Sequence, residues 1–134
     1  MKYLLDTNII IFWLKDRYGI AQKITEVGAA NCFVSEVSMA ELRFGVECSA
    51  PELLEEKRKR LTSFLAYLQI VPFSVAIDLY AAEKARLRAA GETIPDFDLL
   101  IGATAVQQNL KMVTNNTKHL SKIQGISIED WTLR

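Results

Sequence analysis

Three carboxylates stand where apolar segments end or helices should begin. Asp6 closes the run Tyr3-Leu4-Leu5, Glu41 lies shortly after Cys32-Phe33-Val34, and Asp98 precedes Leu99-Leu100-Ile101-Gly102-Ala103. Thr114-Asn115-Asn116 follows Met112-Val113 by the same logic as Asp6-Thr7-Asn8 follows Leu5. A buried strand that ends on an unpaired charge is costly, so such residues need a compensating partner. Carboxylates and amide oxygens are the donors that Mg²⁺ or Mn²⁺ prefers, with waters and phosphate oxygens completing the shell. An ion held this way can activate a water and stabilise the leaving oxygen of a phosphodiester. Asp6, Glu41 and Asp98, with an amide oxygen from Asn115 or Asn116, are therefore the candidate metal-binding and catalytic groups, with Thr7, Asn8 and Thr114 as supports that would hold the carboxylates in place.

Each residue also has a purely structural reading. Asp6 can cap a first helix, and Asp96, following Pro95, can cap the helix that contains Asp98. Asp98 in that first turn would interact favourably with the helix dipole. Glu41 is a good helix former, and Asn115-Asn116 suits a turn. Other chemistries are less well served. No Cys/His constellation for zinc is present, nor a Gly-rich phosphate loop. His119 is the single histidine, so RNA cleavage by a histidine pair is excluded.

The elements that must position these residues alternate between strand and helix patterns. Lys2–Leu5 reads as a buried strand and Asn8–Leu14 as an apolar helix. Cys32–Val34 is a second strand, and Ser35 an N-cap for a helix through Glu41 to about Gly45. Pro51 suits the first position of a long helix, with Leu54, Leu61, Phe64, Leu65 and Leu68 facing inward. Ile70–Phe73 is a short strand or extended link, and Ser74 should cap a helix that Gly91 ends. A loop over residues 91–95, a helix over 96–108, a strand over 111–114, a short helix or turn over 117–121 and a last strand over 126–128 complete the chain. This alternation predicts an α/β fold, a parallel sheet sandwiched by helices with its active face at the carboxyl ends of the strands. Gly102 and Ala103 should let their helix pack close against that sheet.

Composition sets the remaining bounds. At 134 residues the chain reads as one domain able to bury a real core, and its half-apolar composition fits a globular protein and not a disordered one. Lys plus Arg and Asp plus Glu number 16 each; a nucleic-acid partner is neither announced nor excluded, because an acidic site and a basic rim cancel in the sum. Lys57-Arg58-Lys59-Arg60 sweeps around a helix and cannot form one basic face. Arg43, Lys84, Arg86, Arg88 and Lys118 are further candidates for RNA contact. Cys32 and Cys48 sit among apolar neighbours and read as buried, reduced thiols. The longest apolar run, Ile9–Leu14, is too short to span a membrane, and a cytoplasmic location is expected.

The chain resembles the PIN-domain ribonucleases, and among them the VapC toxins of bacterial toxin–antitoxin pairs. The likeness is carried by Leu4-Leu5-Asp6-Thr7-Asn8, Ser35 to Gly45, Ile94 to Ala103, Val113 to Thr117 and Glu129-Asp130-Trp131, in that order. The resemblance implies a three-layer PIN-like domain over residues 1–134 with a central, mainly parallel sheet. It implies a metal-dependent endoribonuclease in which Asp6, Glu41 and Asp98 are the family's acids, using Mg²⁺ or Mn²⁺ to leave a 5′-phosphate and a 3′-hydroxyl. The family's fourth acidic position falls on Asn116, which keeps an oxygen but removes a charge. It further implies a small VapB-like antitoxin laid over the acidic cleft, a homodimer, and an RNA substrate, with tRNA as one candidate; some toxins with this asparagine pair cut the anticodon stem-loop of initiator tRNA. Two other readings remain at this level. A catalytically impaired PIN-like module could bind RNA or protein, a reading that Asn116 supports. Phosphate-ester chemistry on a small substrate is the other, against which Asp6-x-Asn8 lacks a second carboxylate.

Overall fold

The computed structural model describes residues 1–133. Five strands, β1 (Tyr3–Leu5), β2 (Cys32–Ser35), β3 (Gln69–Val71), β4 (Lys111–Val113) and β5 (Ile128–Glu129), form one wholly parallel sheet in the order β3-β2-β1-β4-β5. β1 is central and pairs with β2 on one side and β4 on the other, in register Tyr3 with Cys32 and Tyr3 with Lys111. The chain builds outward from β1 first through β2 and β3, then through β4 and β5. The carboxyl end of β1 is thus the point where the strand order reverses, the place where open parallel sheets present a crevice.

Alternation along the short strands divides the core. Leu5, Cys32, Val34 and Val113 point to one face, where they meet α1 (Thr7–Leu14), α2 (Ile20–Val27), α3 (Glu36–Glu47) and α4 (Pro51–Leu65) through Ile9, Ile10, Ile24, Leu42 and Leu61. Leu4 and Met112 point to the other, where they meet α5 (Ile77–Ala89), α6 (Asp96–Gln107) and α7 (Thr117–Leu120) through Leu87, Leu99, Ile101 and Leu120. Burial of both faces explains why the strands read as continuous apolar runs and not as alternating ones. The result is the three-layer α/β arrangement expected from the alternating patterns. Among the described residues no helix is long and apolar enough to cross a membrane.

Several local expectations are corrected. α2 was not anticipated: it is eight residues long, opened by Gly19 at φ 65° and closed by Gly28 at φ 92°. Gly19 supplies no side-chain cap, and only Ile20 and Ile24 are buried, so neither capping nor periodicity announces it. Ser74 caps nothing. It lies in a 3-10 turn, Phe73–Ala76, that precedes α5, and the Phe73 N–H is taken by the Glu36 carboxylate at 3.2 Å. The last strand is Ile128–Glu129 and not 126–128. Cys48 is exposed, because it ends α3 on the solvent side; Cys32 is buried, and burial pushes its thiol up to about 11. Gly102 does permit a close approach, but to α7 and the residues after it: a Cβ there would overlap Ile123 Cδ1 and stand 3.2 Å from Leu120 Cδ2.

Candidate active site

Asp6 leaves β1 at its carboxyl end and is 5 % exposed. Its backbone N–H continues the sheet by donating to Val113 O at 2.9 Å. Its side chain does two things at once. Oδ1 accepts from the Thr7 N–H at 2.8 Å, capping α1, while Oδ2 accepts from Thr114 Oγ1 at 2.7 Å. The capping reading and the site reading of Asp6 therefore coexist. Thr114, fully buried after β4, accepts in turn from the Asn116 N–H at 2.9 Å. One hydroxyl thus ties the ends of the two central strands together.

Glu41 projects from the middle of α3, half-buried. Its Oε1 lies 2.7 Å from Thr7 Oγ1, which is also 2.9 Å from Ser38 Oγ. Thr7 has a single proton to give, so it donates to the carboxylate and accepts from Ser38. Ser38 was not singled out from the sequence. It is fully buried, one turn before Glu41 on the same helix face, and the spacing of three residues was the signal that could have found it. Asn8, by contrast, is exposed and forms no side-chain hydrogen bond among the described residues.

Asp98 stands in the first turn of α6, half-buried, with Oδ2 accepting from Asn116 Nδ2 at 3.3 Å. The amide of Asn116 therefore turns its nitrogen, not its oxygen, toward the nearest carboxylate. Asp96 does not cap α6: Pro95 occupies the N-cap position, and the Asp96 carboxylate faces α5, accepting from Lys84 Nζ at 2.7 Å and Tyr80 Oη at 2.8 Å. That ion pair holds the Asp96 carboxyl below the usual carboxylate range.

The electrostatics of Asp6 and Asp98 follow first from burial. Burial raises the Asp6 carboxyl above its ordinary value, against the lowering effect of the Thr114 and Thr7 hydrogen bonds, and the nearby negative charges of Asp98 and Glu41 raise it further. Burial likewise raises Asp98, opposed by the closeness of His119 and by the Asn116 bond. None of the three acids forms a salt bridge among the described residues. Nor do any three His, Cys, Asp or Glu side chains there close tightly enough to enclose an ion by themselves. Hard oxygen donors of one sign, close enough to repel but open between them, suit an ion that keeps waters and takes substrate oxygens, as Mg²⁺ and Mn²⁺ do.

The sequence profile of the PIN domain matches residues 3–126. The chain belongs to the PIN-domain family. Within it, the similarity is to VapC proteins over nearly their whole length. Ribonuclease VapC2 of Rickettsia felis is 33 % identical over 134 residues, covering 98 % of both chains. The tRNA(fMet)-specific endonuclease VapC of Shigella flexneri is 27 % identical, covering 98 % of this chain and 99 % of that one. Among solved structures, this PIN domain superposes on a chain of DNA-bound VapBC from Salmonella typhimurium with a TM-score of 0.90 at 28 % identity, covering 98 % of each. A chain of VapBC2 from Rickettsia felis, bound to a promoter DNA fragment, gives 0.88 at 31 % identity, with 98 % and 99 % covered.

Proposed function

We propose that this VapC-like PIN domain is an endoribonuclease toxin that hydrolyses RNA phosphodiester bonds with Mg²⁺ or Mn²⁺ at Asp6, Glu41, Asp98 and Asn116. The observation that carries the reading is the convergence of Asp6, Asp98 and Glu41 around a buried carboxylate that has no cationic partner among the described residues. Asp6 and Asp98 would hold the metal, whose chemistry when bound is to activate a water and stabilise the leaving oxygen. Thr7 and Thr114 fix both oxygens of Asp6 through protein donors, so the carboxylate is oriented before any substrate arrives. Glu41 has one oxygen committed to Thr7 and one left to orient, or accept a proton from, the attacking water. Asn116 restrains Asp98 through its amide nitrogen and leaves its amide oxygen for the cleft. Because water is the nucleophile, the 2′-hydroxyl is not consumed, and the products carry a 5′-phosphate and a 3′-hydroxyl.

The name of the Shigella flexneri relative supports tRNA as the substrate class, and the VapBC complexes among the structural relatives support a VapB-like antitoxin as partner. An apolar groove of about 390 Å³ that has Glu41 on its wall, with Ile11, Leu14, Leu42 and Leu61, offers such a partner a seat beside the acids. A second copy of the chain would cover the exposed apolar residues Ile70, Phe73, Val75 and Ile77, spaced along the chain from β3 to the start of α5. The test is incubation of the purified chain with small structured RNAs, in Mg²⁺ and in chelator. Cleavage that depends on metal and vanishes in Asp6→Asn and Asp98→Asn is expected. Cleavage that survives both substitutions would remove the site assignment.

A further inference from the structure

The exposed face of α5 carries a groove of about 480 Å³ lined by Tyr80, Ala81, Lys84, Ala85, Arg88 and Ala89. Its position follows from α6. Asp98 turns toward the acidic cleft, whereas Asp96, two residues earlier in the same turn, anchors Lys84 and Tyr80 (2.7 and 2.8 Å). The Tyr80–Lys84 end of the groove is therefore joined, through Asp96, to the helix turn that carries Asp98. Lys84 Nζ also lies 5.7 Å from the centroid of the Tyr80 ring and 3.3 Å from its hydroxyl. Arg88 follows one turn along, about 6 Å further down the helix axis, exposed and without an ion pair among the described residues. Ala81, Ala85 and Ala89 line the groove with methyl groups only.

Three arginines are held in other contacts. Arg86, on the same helix, is turned away: Nε and one terminal nitrogen bind Glu83 at 2.6 and 2.7 Å, and the latter also donates to Lys122 O. Arg58 is forked onto Glu47, and Arg60 donates to Leu14 O. Lys84, paired with Asp96, and Arg88, without an ion pair among the described residues, thus stand in file along the groove.

Building on the ribonuclease reading, we infer that the Tyr80–Lys84–Arg88 face of α5 is the track for the RNA backbone on one side of the scissile bond, with Lys84 and Arg88 neutralising phosphates that flank it. Asp96 is then a positioning residue, holding the Lys84 ammonium against the first turn of α6 when RNA is absent. A positive file contributes affinity without reading bases, so its signature is salt dependence.

The experiment measures binding of a fluorescein-labelled single-stranded RNA by anisotropy in the cleavage-dead Asp98→Asn background, between about 50 and 200 mM salt. Adding Lys84→Ala or Arg88→Ala should weaken binding severalfold and shrink the slope of log K against log salt by about 0.7 for each phosphate that is no longer neutralised. Lys84→Arg should restore the slope, and Lys59→Ala, on the distant α4, should leave it unchanged. In the active background both alanine variants should raise KM and spare kcat. Slopes that match the parent in both variants overturn the inference, as does a changed sedimentation coefficient, which would make this face a contact between copies. A parent chain that neither binds nor cleaves RNA overturns the ribonuclease reading together with this one. Cleavage by the parent with unaltered variants overturns this one alone.

Discussion

Replacing Thr114 by Val isolates one hydroxyl that two parts of the site depend on. Valine keeps the shape of the buried side chain but can neither donate to Asp6 Oδ2, now 2.7 Å away, nor accept from the Asn116 N–H at 2.9 Å. A hydrogen bond to a charged group contributes about 1.5–3 kcal/mol, and an orphaned N–H costs about 1–3 kcal/mol where it is fully buried. Asn116 is only half-buried, so its N–H can recruit water; the combined loss should be about 2–4 kcal/mol. For 134 residues the unfolding entropy is about 0.28 kcal/mol per kelvin, so the midpoint should fall by about 7–14 °C. Thr114→Ser keeps both bonds and should lose only a methyl group, about 1 kcal/mol.

The pH dependence of that loss has a definite sign. Asp6 is raised in the folded state by burial, with the Thr114 bond among the forces that lower it. A raised carboxyl costs nothing below its unfolded value near 3.8 and destabilises the fold increasingly as pH climbs through the folded value. Removing the Thr114 donor raises Asp6 further, so the variant should be hurt most at neutral pH and least in acid, where the bond joins two neutral groups. Thermal unfolding in chelator at neutral and acidic pH, with a carboxyl ¹³C titration of Asp6, measures both effects. A midpoint within about 2 °C of the parent at neutral pH, or equal losses in the Val and Ser variants, would refute the idea that this hydroxyl holds the carboxylate.

Asp6→Asn should abolish cleavage yet raise the metal-free midpoint at neutral pH, with a gain of about 0.5–2 kcal/mol, since it removes a repelled, buried charge; differential scanning calorimetry decides the sign. Millimolar Mg²⁺ or Mn²⁺ should raise the melting temperature of the parent chain, by about 2.7 kcal/mol of stability at a hundredfold excess over Kd, and no shift in a folded, monodisperse sample would argue against a preformed site. Glu83, buried and held below its ordinary value chiefly by Arg86 and also by the Gln124 N–H, contributes stability present above its unfolded value and lost as pH falls through the lower folded one. Glu83→Gln should therefore cost about 1–3 kcal/mol at neutral pH and little in acid, as read from urea midpoints. Ile77→Glu should shift the sedimentation coefficient toward the monomer if a second copy covers the β3–α5 surface.

Asp6, Thr114 and Asn116 stood out because they follow strands, and strand ends are what a parallel sheet converges. They needed only the end of an apolar run; Asp98 needed a helix start, and Glu41 a helix that leaves the end of β2 and carries it in its middle. What escaped depends on three-dimensional contacts. Ser38 matters through Thr7, thirty-one residues away; its spacing of three from Glu41 marks a shared helix face but not that contact. Asp96 looked like a cap because Pro95 precedes it, but Lys84 and Tyr80 offered its carboxylate better partners than the helix N–H groups did. α2 was missed because two buried isoleucines between two glycines make a weak periodic signal. Which end of the Asn116 amide faces Asp98 is likewise a matter of neighbours, not of residue type.

The bond between Asp6 and Thr114 spans 108 residues, which sets an order on biosynthesis. β1 leaves the ribosome first, but its second neighbour β4, and the hydroxyl that orients Asp6, emerge only near the end of translation. At about 5–20 residues per second, a nascent chain carries its first acid for about 5–20 s before the partner exists to hold it. A truncated or stalled product that stops before Thr114 lacks both the flanking strand and the clamp. The clamp on Asp6 is thus closed late, and for that interval the nascent chain carries the acid without the hydroxyl that orients it.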